Sequence, residues 1–289
     1  MEDLLRPIYQ ERASNPHTLG ILLIEKTKPI SPETDDFDVI LLIIVSKAEQ
    51  NWLVKHYEFN GKSAAMHIVH ENLLKNWIDT STYRRAVEWI INGKAIFDRN
   101  EYVENLKEEL RVFPHEKRKL KMAIEFAKLT RSYSESKDLL DSGHALDAYS
   151  RVLRSLHYLG RLAIIEKGYH PEVLVWSQVK RIDPEVYKLY EELIKSDEET
   201  SKRVELMLLA VEFALSTRAK ACAEHLIDIM NQNSEPWGFG DLKVHPEVSS
   251  YALDLSTMVE YLTEKHILEV VLEETKGRSI YHRKYKVKE

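Results

Sequence analysis

The sequence has little with which to cross-link itself or to turn sharply. Cys222 is the single cysteine, which excludes an intramolecular disulfide and a cysteine-rich zinc site and fits a reducing cytoplasm. Glycine and proline number nine each in 289 residues, well below the usual ~7% and ~5%. A sandwich of many short, tightly turned strands is excluded, and a largely helical chain is expected. No apolar run approaches the ~18–20 residues of a membrane span; the longest, Val39 to Val45, has strand length. The start, Met1-Glu2-Asp3, is acidic and lacks the basic beginning of a signal peptide. An excess of positive charge is missing as well: 41 Lys and Arg face 47 Asp and Glu, for a net charge of −6. Any contact with nucleic acid must therefore be local.

What is present divides into three parts of an α+β chain. Strand signals concentrate between Leu19 and Val69. Leu19–Ile24 and Val39–Val45 are short, β-branched and bounded by turn formers, as strands buried on both faces are. Ala64–Val69 is a third strand, entered through an Asn60-Gly61 hairpin turn, whereas Lys47–Glu58 suits helix or strand. From Leu73 the period becomes helical: Asn72–Ile91, Tyr102–Val112, a long stretch from Pro114 to Asp141, Ala145–Lys167, a shorter helix from Asp183-Pro184, and Glu199–Met230 as one long helix. Asn231–Gly240 reads as a polar linker. Beyond it, helix Ser256–Ile267, strand Leu268–Glu274, a turn at Lys276-Gly277 and strand Ser279–Val287 outline the second half of a winged helix. The expected division is 1–113, an α/β domain with a small mixed sheet; 114–232, a helical bundle; and 233–289, a winged-helix-like segment.

The chemistry concentrates at Asp35-Asp36-Phe37-Asp38, which runs straight into the buried strand. In an extended chain alternate side chains share a face, so Asp36 and Asp38 are expected to point the same way. Such a pair repels itself unless a cation lies between. Its oxygens suit Mg²⁺, which takes one or two carboxylates together with phosphate oxygens, and paired ions of this kind drive nucleotidyl transfer.

Strand, loop, Asp-x-Asp, strand, followed by a helical bundle, resembles the nucleotidyltransferase superfamily of DNA polymerase beta. The two-domain kanamycin nucleotidyltransferase type, in a Firmicutes form with an added winged-helix segment, is the most similar. The resemblance implies Asp36 and Asp38 as catalytic Mg²⁺ ligands, an NTP as donor and a hydroxyl as acceptor. It also implies a Gly-Ser turn before the Asp-x-Asp, a third acid on a later strand and a base from the helical domain, where Glu135, Asp138, Asp141 and Asp147 are available. The departures are as specific as the match. Counted back without gaps, Gly-Ser falls on Ile24-Glu25, which puts a branched side chain and a negative charge where a triphosphate would lie. Lys26 and Lys28 are the nearby cations. Ser63–Val69 has no acid, and His67 is its only polar candidate. Two readings stay open: a divergent Mg²⁺-dependent transferase, and a catalytically silent relative that binds a nucleotide, a protein or a nucleic acid.

Two further groups complete the candidates. Arg151, Arg154, His157 and Arg161 share much of one helix face, so Arg154 and Arg161, with Glu25 and Lys26, are candidate nucleotide-binding residues; ion pairing with Asp147 and Glu166 is the plainer alternative. The tail holds Lys276, Arg278, Arg283, Lys284, Lys286 and Lys288 against Glu289. Lys276, Arg278, Arg283 and Lys284 are candidate phosphate-backbone contacts, although the helix before them carries Glu260 and Glu264, a poor face for a major groove.

Overall fold

The protein is described by a computed structural model covering residues 2–27, 31–277 and 279–288. The chain divides into two compact units: 1–114 together with 170–173, and the remainder.

In the first unit, α1 (Glu2–Ala13) precedes the strands β1 (Thr18–Glu25), β2 (Val39–Val45), β3 (Trp52–Phe59) and β4 (Lys62–His70). Helices α2 (Glu71–Thr80) and α3 (Arg84–Asn92), strand β5 (Lys94–Asp98) and helix α4 (Tyr102–Arg111) follow. The sheet order is β3-β4-β2-β1-β5, with β2 parallel to β4 and every other pair antiparallel. All of β2 is buried, as its unbroken apolar run requires, because helices cover both faces. Ile40, Leu42 and Ile44 meet Leu74, Trp89 and Val103 of α2, α3 and α4. Leu41, Ile43 and Val45 meet Leu5 and Tyr9 of α1. Asn60 and Gly61 both have positive φ (47° and 71°), so the β3–β4 hairpin closes through the expected turn.

The second unit holds α5 (His115–Asp141), α6 (Ala145–Glu166), α7 (Val175–Ile182), α8 (Pro184–Lys195) and α9 (Thr200–Cys222). It continues with α10 (Glu224–Met230), β6 (Trp237–Gly238), α11 (Phe239–Val244), a 3-10 turn (Pro246–Tyr251), α12 (Leu255–Glu264), β7 (Leu268–Glu274) and β8 (Tyr281–Val287). Small polar residues join α5 to α6: the Ser132 and Ser136 hydroxyls donate to the carbonyls of Arg151 and Ala148. The last three strands form a sheet in the order β6-β8-β7, so the carboxy-terminal segment carries a winged helix in full, with α10 and α11 preceding α12.

Several expectations change. Asn72–Ile91 is two helices, because Ser81 ends α2 in the left-handed conformation (φ 54°). Glu199–Met230 is likewise two, divided at Ala223. Within Lys47–Glu58, the residues from Trp52 onward form edge strand β3, and those before it form neither helix nor strand. The supposed linker Asn231–Gly240 contains β6, fixed by the Trp237 indole donating to the Met230 carbonyl (3.0 Å). The amino-terminal helix α1 and strand β5 had no separate signal, α1 because Pro7 interrupts it and β5 because it spans five residues.

At Gly20 of β1 a side chain is excluded by a neighbour: a Cβ there would lie inside Val103 of α4. Gly20→Ala must push α4 from the sheet, and overpacking of this kind costs about 1–3 kcal/mol. Urea denaturation is expected to show a lower midpoint with an unchanged slope.

Candidate functional site

The loop before β2 does not stay extended. Asp35 and Asp36 both take positive φ (50° and 66°), a conformation that Asp tolerates because its short side chain can bond locally. Asp36 Oδ1 accepts from the Ser31 amide (3.0 Å) and from Lys26 Nζ (3.2 Å). The Ser31 bond first, and Lys26 second, hold the Asp36 carboxyl below its ordinary range. Asp38 instead reaches the next strand: its Oδ2 accepts from the Ser63 amide (2.8 Å) and lies 3.4 Å from the Ser63 hydroxyl. The premise that Asp36 and Asp38 follow strand alternation is therefore corrected. Asp36 is turned into its own loop and Asp38 is bonded across to β4.

The turn is held from α3. Arg85 pairs with Asp35 (2.6 Å) and donates to the Pro32 carbonyl (2.8 Å), and the Trp89 indole donates to the Glu33 carbonyl (2.7 Å). Ile24 and Glu25 lie in regular β1, opposite Ile40 and Val39, with Ile24 buried and Glu25 exposed at the strand end. Lys28 lies outside the described residues. A cavity of about 410 Å³ opens beside Asp38, lined also by Glu58, Asn60, Lys62 and Ser63. Among the described residues, no group of three or more His, Cys, Asp or Glu side chains is placed to hold a metal ion.

His67 stands deeper along the sheet than Asp38, yet Trp89 joins it to this loop, with its ring 4.8 Å from that of His67 and its indole bonded to the Glu33 carbonyl. Register sets it opposite Leu42, four residues along the strand from Asp38, or ~13 Å. It is buried, accepts from the Trp52 indole at Nδ1 (3.2 Å), and lies among Trp52, Trp77, Tyr83 and Trp89, whose rings contact one another at 4.7–5.5 Å. This cluster was not anticipated; its one signal is the six-residue recurrence of Trp77, Tyr83 and Trp89.

In the second unit the arginine stripe separates. Arg161 donates to Glu125 Oε2 (2.9 Å) with both side chains largely buried. Arg151 pairs with Glu135 (2.9 Å), and His157 accepts from the Trp176 indole. Arg154 is exposed. Glu166, one of the expected partners, is taken by Arg218 of α9 (3.0 Å). On the wing, Arg283 pairs with Glu260 (3.2 Å), Lys284 with Glu273 (2.9 Å) and Lys286 with Glu269 (3.1 Å). Lys276 is exposed, and Arg278 lies outside the described residues. Helix α12 packs its buried side on α5, with Tyr261 edge-on to Phe126, and exposes Glu260 and Glu264.

Comparison with known proteins accords with this architecture. A Nucleotidyltransferase-like family matches residues 1–118, a YgxA-like substrate binding domain matches 119–218, and a Helix-turn-helix domain matches 224–287. The protein YgxA of Bacillus subtilis (strain 168) is 46% identical over 288 residues, covering 100% of this chain and 98% of YgxA. The chain belongs to this nucleotidyltransferase-like family. The crystal structure of a nucleotidyltransferase-like protein from Exiguobacterium sibiricum 255-15 matches with a TM-score of 0.83 at 38% identity, over 99% of each chain. The resemblance read at Asp36 and Asp38 is thus borne out at the level of fold and family. No helix among the described residues is long and apolar enough to cross a membrane.

Two buried groups of the first unit titrate in opposite senses. Burial pushes His67 down to about 4. It pushes Glu88 on α3 up to about 7, although the Val173 amide donates to its carboxyl. A histidine lowered on folding contributes stability above its unfolded value of ~6.5 and loses it as pH falls toward 4. An acid raised on folding contributes stability below 4.5 and loses it as pH rises through 7. The two effects oppose each other between pH 4.5 and 6.5. In that window the Tm of Glu88→Gln is expected to fall on acidification and that of His67→Asn to rise; slopes of the same sign would show that one of the groups does not titrate there.

Proposed function

We propose that this is a nucleotidyltransferase-fold binding protein that does not transfer nucleotides. The observation that carries the reading is the seat of Lys26, whose ammonium rests on Asp36 where the family resemblance implies Mg²⁺. A cation supplied by the chain relieves the charge of Asp36 without a metal. Asp38 is committed to the Ser63 amide, and Ser63 fills the place on the adjacent strand beside it. Mg²⁺ demands a near-octahedral oxygen shell, and a two-ion clamp needs carboxylates free to be shared. A lysine-bound Asp36, an amide-bound Asp38 and an acid-free β4 do not fit that group. The strand pairing of Ile24 and Glu25 supports the same reading, because a triphosphate needs open backbone amides to approach.

Thermal shift with each NTP, with and without Mg²⁺, tests the proposal beside an assay for NMP transfer. No Mg²⁺-dependent rise in Tm and no transfer are expected. A Mg²⁺-dependent rise abolished by Asp36→Asn and by Asp38→Asn would overturn it and restore the transferase reading, with Asp36 and Asp38 as ligands and Glu25 and Lys26 beside the nucleotide.

The helix-turn-helix match favours a second role, contact with nucleic acid. The partners of Arg283, Lys284 and Lys286 leave Lys276 at the hairpin tip and Lys288 at the end of β8 for phosphate contact, and the acids on α12 oppose reading of bases. Each phosphate neutralised adds about −0.9 to the log–log salt slope. Anisotropy on duplex DNA is expected to give sequence-indifferent binding, at low salt only, with a slope no steeper than about −2, and weakened by Lys276→Glu. A slope near −4 together with sequence preference would show that α12 leaves α5 to enter a groove.

A further inference from the structure

A cavity of about 290 Å³ in the second unit is lined by Lys128 and Arg131 of α5 and by Arg151 and Arg154 of α6. Glu135 and Asp254 are the acids in its wall, so four cations face two carboxylates. We propose that this cavity binds a small phosphorylated molecule that also carries a hydroxyl or amino donor. The proposal is independent of the Asp36 and Asp38 loop and holds whether that loop is silent or active.

The hydrogen bonding of the wall points to both parts of the ligand. Arg131 is shared, with Nε on Glu135 Oε1 (2.8 Å) and Nη1 on Asp254 Oδ1 (3.0 Å). Lys128 has only a distant contact at 4.0 Å, to Glu125, whose other oxygen is held by Arg161. Arg154 has no ion-pair or hydrogen-bond partner among the described residues. A phosphate ester carries about −1.5 to −2 charges at neutral pH, opposite in sign to the cationic excess of this wall, and guanidinium forks bind such oxygens in pairs.

Glu135 supplies the second requirement. Its Oε2 is buried with no aligned hydrogen-bond donor, although Arg151 Nη1 lies 2.9 Å away. The ion pair with Arg151 leaves Oε2 with a lone pair that a ligand hydroxyl or amine can meet. Tyr158 provides an apolar wall, and an adjoining cavity of about 300 Å³ shares Arg151 and Arg154 and adds Asp147 and Ser150. Volumes of this size lie at the small end of ligand pockets, which favours a compact phosphate ester.

The wall spans two of the matched domains. Lys128, Arg131, Arg151 and Arg154 lie within 119–218, whereas Asp254 lies within 224–287 and begins α12. A bound phosphate competes with Asp254 for Arg131, so ligand binding is opposed by the contact that ties the helix-turn-helix segment to α5.

Calorimetric titration of the full chain with ribose 5-phosphate, inorganic phosphate and ribose tests the proposal. Ribose 5-phosphate is expected to bind more tightly than inorganic phosphate, and ribose not to bind. Arg154→Gln, an exposed position, is expected to weaken both phosphates at least tenfold without altering Tm, and Asp254→Asn to tighten them. No binding of either phosphate at millimolar concentration would overturn the proposal. So would affinities unchanged by both substitutions, or binding lost in Asp36→Asn but retained in Arg154→Gln, which would place the ligand on the first unit. Equal affinity for inorganic phosphate and ribose 5-phosphate would overturn the role given to Glu135.

Discussion

Seven consecutive apolar side chains, Val39 to Val45, must be kept from water on two faces at once. A strand with that requirement needs a neighbour on each edge and a helix layer above and below it. The first unit supplies all four, with β1 and β4 at the edges, α1 on one face and α2, α3 and α4 on the other. The direction in which the chain enters β2 follows from this. The residues just before Val39 must stand at the rim of the sheet, where polar groups still reach water, and there the three aspartates occur.

At that rim the polypeptide answers its own electrostatics. Asp35 is met by Arg85, Asp36 by Lys26 and a backbone amide, and Asp38 by the amide of Ser63. Charge-assisted bonds of this kind are among the stronger polar interactions of a protein, and together they fix a loop that contains two successive residues at positive φ. The same logic, with opposite sign, separates the arginines of α6. Arg161 is neutralised inside the bundle, and Arg154 is left toward solvent. A stripe that is uniform in sequence is chemically heterogeneous in the fold.

What could be read beforehand was what depends on local pattern. The buried strand, the Asn60-Gly61 hairpin, the winged hairpin and the Asp-x-Asp with its family resemblance all rest on spacing within a few residues. The orientation of Asp36 did not follow, because alternation presumes an extended backbone and the consecutive left-handed residues break it. The partner of Arg161 did not follow either: Glu125 lies 36 residues earlier, and helical periodicity identifies faces without saying which faces meet. For the same reason the pairing of Arg131 with Asp254, across 123 residues, did not follow. The aromatic cluster around His67 draws on two strands, two helices and the turn between those helices, so only the six-residue recurrence of Trp77, Tyr83 and Trp89 is visible in sequence.

The four residues 170–173 belong with the first unit although helices of the second unit flank them on either side. His170 stacks on Phe113 (4.0 Å), and Val173 donates its amide to Glu88. The chain therefore passes between the units three times instead of once. A single cut near residue 114 does not yield two complete halves, since the amino-terminal piece lacks a stacking partner and leaves a buried carboxyl without its donor. The first unit without residues 170–173 would need another donor for Glu88 and another ring against Phe113.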